Sequence, residues 1–136
     1  MLNGQQTLLL IDKNQDDLKR TRQVLEAAGY KVLCAADGRE SLELVASQQV
    51  DQVILEHQVE PNGACMAAAI RKAQPAVPIL LHSDHESVPI SSLNIVDGFM
   101  PKGTLPFFLL HAVKLLFRAR PAGAANGTAL SAAGVL

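Results

Sequence analysis

Ionisable side chains stand at or just past the ends of the apolar runs in this chain. Asp12 and Lys13 follow Thr7-Leu8-Leu9-Leu10-Ile11, Glu56 and His57 follow Val53-Ile54-Leu55, Ser83 and Asp84 come shortly after Val77-Pro78-Ile79-Leu80-Leu81, and Lys102 follows Phe99-Met100-Pro101. Carboxylates can offer hard oxygens to a cation or pair with a nearby lysine. Together Asp12, Glu56, Lys13 and Lys102 are formally neutral, and a lysine facing a carboxylate near a protein surface gains about 4 kcal/mol of Coulomb attraction. Lys13 is therefore expected to form an ion pair with Glu56 or Asp12. His57, His82 and His85 raise a metal site, but neighbours on a strand point to opposite faces, so His82 and Ser83 cannot share one crevice and convergence of the imidazoles is not expected. A metal-dependent phosphatase would want Asp12-x-Asp, which Asn14 breaks, and no other nucleophile and base pair stands out. No catalytic residue, no metal ligand set and no enzyme is expected.

The elements that must position these residues follow from hydrophobic period. Thr7 to Ile11 is a continuous apolar run, as a strand buried on both faces requires. Asp16 and Asp17 suit a helix start, Leu18, Val24, Leu25 and Ala28 form its apolar face, and Gly29 suits its end. The strand signal returns from Tyr30 to Ala35, and Gly38 precedes a helix carrying Leu42, Leu44 and Val45. Gln52 to Leu55 reads as a third strand. After the Pro61-Asn62-Gly63 turn come a helix from Ala64 to Ala73 and a fourth strand from Val77 to Leu81, with Pro78 at its start. Pro89 is expected to shorten or break a helix in Glu86 to Ile95. A brief strand follows from Val96 to Met100, then a last helix from Leu105 to Arg118 with Phe107, Leu109, Leu110, Val113, Leu116 and Phe117 on its apolar face. Alternating strands and helices with right-handed crossovers imply an α/β three-layer sandwich around a five-stranded parallel sheet.

Composition narrows the class. With 136 residues, 49% of them apolar, and a net charge of −1, the chain suits one globular domain and lacks the basic excess of a nucleic-acid binder. No run approaches bilayer length and no leader is visible, so a cytoplasmic protein without membrane attachment is expected. Cys34 and Cys65, without paired ligand spacing, are read as free buried thiols, a disulfide being the alternative. From Arg120 the composition turns to Ala, Gly and small polar residues without period, which cannot offset the entropy of ordering. The expected division is a domain over 6–118 and a flexible tail over 119–136.

Taken in order, Leu8 to Asp12, Ala28-Gly29-Tyr30, Ala36-Asp37-Gly38, Asp51 to Glu56, Pro61-Asn62-Gly63, Pro78 to Ser83 and Phe99-Met100-Pro101-Lys102 resemble the receiver domain of bacterial two-component response regulators. The resemblance implies a flavodoxin-like sheet of order 2-1-3-4-5, with function at the carboxyl ends of the strands. It also implies an acidic pair after the first strand, a phosphoacceptor aspartate after the third, a Ser or Thr after the fourth and a Lys after the fifth. Asp12, Ser83 and Lys102 match, and Phe99 stands at the aromatic switch position. Lys13 takes the place of the second acid and Glu56 that of the phosphoacceptor. Gly103 stands where the family usually has proline, and the stretch from Glu56 to Gly63 is slightly compressed.

An intact receiver pocket recruits Mg²⁺ through its excess of carboxylates. With Lys13 substituting for the metal, Mg²⁺ binding is expected to be weak or lost. Glu56 reaches further than aspartate by roughly a bond length, a displacement to which phosphoryl transfer is sensitive. The expectation is a degenerate, stand-alone pseudo-receiver that binds a signalling protein, such as a histidine kinase or downstream effector, without being phosphorylated; a homodimer is also allowed. The alternatives are a conventional receiver phosphorylated by a histidine kinase and an orphan structural module of the same fold. Partner recognition is expected on the face made by the fourth helix, fifth strand and last helix, where Ile90, Leu93 and Ile95 either form an exposed cluster or seal the core.

Overall fold

Residues 4–59, 62–84 and 94–119 are described by the computed structural model. Their elements run β1 (Thr7–Ile11), α1 (Gln15–Ala27), β2 (Lys31–Ala35), α2 (Gly38–Ser47), β3 (Gln52–Leu55), α3 (Gly63–Ala73), β4 (Ile79–Ser83), β5 (Gly98–Pro101) and α4 (Pro106–Ala119). All strand pairs are parallel and the order is β2-β1-β3-β4-β5. Chain order reverses at β1 and β3, which places a crevice at their carboxyl ends, beside Asp12 and Glu56.

Side-chain alternation along the strands sorts the core into two layers. Leu9, Ile11, Val53, Leu55, Ile79 and Leu81 pack with Val45 of α2 and with Met66, Ala67 and Ile70 of α3. On the other face Leu8, Leu10, Ile54 and Leu80 pack with Leu18 and Leu25 of α1 and with Leu109, Val113 and Leu116 of α4. Burial of each such large side chain contributes about 1.5–3 kcal/mol. Buried Gln52 also ties the sheet to α4, its Nε2 donating to the Val113 carbonyl at 3.1 Å.

Local capping explains where the helices begin. Asn14 accepts from the Asp17 amide at 3.0 Å, Asp37 from the Glu40 amide at 2.8 Å, and Asn62 from the Cys65 amide at 2.9 Å, each side chain satisfying a donor that the first turn leaves open. Gly29 closes α1 with φ of 101°, a conformation open to glycine.

Several boundaries differ from the hydrophobic pattern. β4 covers Ile79–Ser83 where Val77 to Leu81 is expected. Arg71 takes the Val77 carbonyl at 2.6 Å, the Ile95 carbonyl at 3.1 Å and Asp97 Oδ2 at 2.8 Å. The same carboxylate oxygen accepts from the Ile79 amide at 2.8 Å. Pro78 has no N–H, so the β4 ladder starts only beyond it; β5 likewise starts at Gly98, beyond Asp97.

Leu42 and Phe107 are exposed and do not belong to the core-facing sides of their helices. The helix stripes are narrower than a count of apolar residues suggests. Cys34 is half-buried and Cys65 exposed, both as free thiols, so the expected burial of Cys65 is wrong. Ile95 and Phe99 are partly buried against the α2/α3 layer, which favours core sealing for Ile95. Ile90, Leu93, His85, Pro89 and the tail from Arg120 lie outside the described residues. No described helix is long and apolar enough to cross a membrane.

Candidate functional site

Lys102 is the centre of the crevice. It follows β5, and its Nζ lies 2.6 Å from Asp12 Oδ2, 2.7 Å from Glu56 Oε1 and 2.9 Å from Asp17 Oδ2. Asp12 is carried by the end of β1, Glu56 by the end of β3 and Asp17 by the first turn of α1. Asp12 Oδ1 also accepts from the Asn14 amide at 2.9 Å, which couples the pocket to the residue that caps α1. Ser83, the last residue of β4, donates to Glu56 Oε2 at 2.7 Å, and the Gln58 amide donates to the same oxygen at 3.1 Å. Both oxygens of Glu56 are thus engaged, and the carboxylate is 96% buried with its partners in place.

Opposed forces act on these groups. Burial pushes the Glu56 carboxyl up, but Lys102, Ser83 and the Gln58 amide together hold it below its ordinary range. For Asp12 burial prevails over the opposing pull of Lys102 and the carboxyl is lifted. Lys102 itself is pulled down by burial and raised overall by hydrogen bonds to Asp12, Glu56 and Asp17. The Lys102 hydrogen bond lowers Asp17. Glu56, Asp17 and Lys102 are thus each shifted toward the charged form while Asp12 is shifted away from it, and the cluster has the lysine in its middle.

The expected role of Lys13 is not found. Its side chain is exposed and makes no ion pair with any described residue. It stands just past the end of β1 while Asp12 turns inward, so the residue at the second acid position never reaches the carboxylates. Asp17, which the sequence reading treats only as a helix-start residue, joins the cluster instead. Its legible signal is its place in the first turn of a helix that starts beside Asp12. The local charge is correspondingly different from the sequence count: Asp12, Asp17 and Glu56 surround Lys102 alone.

Magnesium does not fit these residues as they stand. The lysine ammonium occupies the space between the same oxygens that would have to face the ion, and an exposed Lys13 replaces one hard ligand. Among the described residues no group of three His, Cys, Asp or Glu side chains is arranged to hold a metal.

Two glycines shape the loops around the crevice. Gly103 has φ of 86°, a conformation closed to the proline that the family resemblance would place there. Gly63 donates to the His57 carbonyl at 2.7 Å, and a Cβ added at Gly63 would lie 2.8 Å from His57 Cα. Gly63 and His57 are thus drawn close together, and only glycine permits that approach.

Comparison with known proteins bears on the family and the fold. Residues 8–100 match the response regulator receiver domain family. The transcriptional regulatory protein GlrR of Escherichia coli is 35% identical over 83 residues, covering 60% of this chain and 19% of that protein. The response regulator MprA of Mycobacterium leprae is 30% identical over 129 residues, 91% of this chain and 57% of that one. This chain therefore spans less than two thirds of either relative. A receiver domain protein of Methanospirillum hungatei, described as CheY-like, superposes with a TM-score of 0.76 at 23% identity, covering 82% of this chain and 92% of that one. The chain belongs to the response regulator receiver domain family of two-component signalling, with the flavodoxin-like fold of that family.

Proposed function

We propose that this receiver signals by binding another protein and does so without accepting a phosphoryl group. The observation that carries the reading is Glu56 held at once by Lys102 and Ser83, at 2.7 Å each. In the family resemblance these are the hydroxyl and lysine expected to answer a phosphorylated aspartate. Here a longer carboxylate of the chain itself engages both, so glutamate stands in for part of the phosphate charge and keeps the switch residues in one arrangement. The longer side chain also displaces the oxygen that would attack a phosphodonor, and the pocket does not suit the metal that such transfer needs. The chain would then have no catalysis of its own and would act in the cytoplasm on a histidine kinase or a downstream effector.

The test is incubation with a small-molecule phosphodonor, with and without Mg²⁺, followed by mass spectrometry of the intact chain. No added phosphate is expected, and labelling should require Glu56→Asp together with Lys13→Asp, since reach and metal ligand are separate obstacles. A phosphate on Glu56 or Asp12 of the unaltered protein would instead support a conventional receiver. Partner capture should be insensitive to the phosphodonor and reduced by Glu56→Gln.

A further inference from the structure

A cavity of about 430 Å³ lies between α1, the end of β4 and the start of α4. That volume is within the roughly 300–1,000 Å³ common for small-ligand sites. It shares Asp17 and Lys102 with the acid pocket, but Asp12, Glu56 and Ser83 do not line it. Val24, Pro106 and Leu109 give it apolar wall, and Thr21 and Thr104 bring hydroxyls.

His82 also lines this cavity, and it is only 8% exposed. It makes no hydrogen bond or ion pair with any described residue, and its ring nitrogens are not sealed from solvent. Burial first, and the charge of Lys102 next, lower its imidazole to about 4, so at neutral pH it offers a lone pair as well as an N–H.

The charges around the cavity select the ligand. Lys102 is already surrounded by carboxylates, and Arg20 is paired with Asp17 at 2.5 Å. Lys102 is therefore not left for an incoming anion, and the exposed Arg20 is held by Asp17 through one nitrogen. Asp84 is exposed, has no ion-pair partner among the described residues, and is near enough to His82 to act on its charge. We propose that this cavity binds a primary ammonium group on a short apolar stem, the ammonium donating to the His82 imidazole and the Asp84 carboxylate while the stem packs against Val24, Pro106 and Leu109. Such a group is carried by a free alkylamine and by a lysine side chain of a partner protein.

Isotope-labelled full-length protein titrated with n-butylammonium, N-acetyl-lysine methylamide and butyrate separates these cases by NMR. Saturable shifts at the His82 ring, Thr21 and Leu109 are expected with n-butylammonium at millimolar concentration, and none with butyrate. Asp84→Asn should weaken binding about tenfold or more while the fold is unchanged; Lys13→Ala, outside the cavity, should bind as the unaltered chain does. Equal binding of the lysine derivative assigns the site to a partner's lysine, and binding of n-butylammonium alone assigns it to a free amine. Absence of saturation with both amines, equal shifts with butyrate, or undiminished binding by Asp84→Asn would overturn the proposal.

Discussion

Ser83 and His82 are neighbours on β4 and have opposite surroundings. Ser83 continues the face of Ile79 and Leu81 and ends on Glu56, in a pocket where each named carboxylate has a donor. His82 continues the face of Leu80, towards α1 and α4, and lines a cavity without a hydrogen-bond partner among the described residues. One step along a strand separates a saturated site from an unsaturated one. A saturated ion network gains little from an added ligand because each of its charges is already answered. The His82 imidazole, with no protein partner among the described residues, keeps a hydrogen-bonding capacity that a suitable donor or acceptor can take up.

Lys102→Met breaks the contrast most severely. It leaves Asp12, Glu56 and Asp17 clustered without their cation, and loss of one partner from a buried ion network costs about 3–5 kcal/mol. Chemical denaturation should show that loss at neutral pH, and an unfolding midpoint equal to that of the unaltered chain would contradict the central role of the lysine.

Next in size is the effect of His82. A base whose folded-state value is lower than its unfolded one takes up its proton more readily when unfolded, so its contribution is whole above 6.5 and is lost as pH falls to about 4. Between those limits the loss should approach about 3 kcal/mol. Glu56 and Asp17, whose carboxyls are lowered, give up their contributions only below their ordinary values of 4.5 and 3.8. Asp12, whose carboxyl is lifted, acts in the opposite sense. The measurement is therefore the difference in stability between the unaltered chain and His82→Gln across pH 6.5 to 4.5, and a slope shared by both proteins would exclude the histidine as its source.

Ser83→Ala should cost less, on the order of 1 kcal/mol, because Glu56 Oε2 keeps the Gln58 amide. It should also move the Glu56 carboxyl up toward its ordinary value, readable by carboxyl carbon NMR during titration. Lys13→Ala sits at the bottom of the scale, with the unfolding midpoint unchanged, since the side chain is exposed and unpaired among the described residues. A clear loss of stability there would restore the lysine to the pocket.

Much of this was legible before any coordinates. Continuous apolar runs such as Leu8 to Ile11 require a strand covered on both sides, and Asp16 with Asp17 and the Pro61-Asn62-Gly63 turn mark where helices begin. Those are local properties, and the parallel α/β order follows from their succession. Asp12, Glu56, Ser83 and Lys102 could likewise be assigned to one crevice, because the strand ends of such a sheet converge. Which charges meet within that crevice was decided only by the fold. Lys13, next to Asp12 and ahead of the helix cap, faces solvent, while Asp17 reaches Lys102 because helix phase after Asn14 sets where its side chain points. The tie between Val77, Ile79 and Asp97 through Arg71, residues far apart in the chain, was likewise decided only by the fold. The cavity beside His82 exists because α1 and α4 enclose the same end of the sheet, a distance between elements that no local pattern of residues encodes.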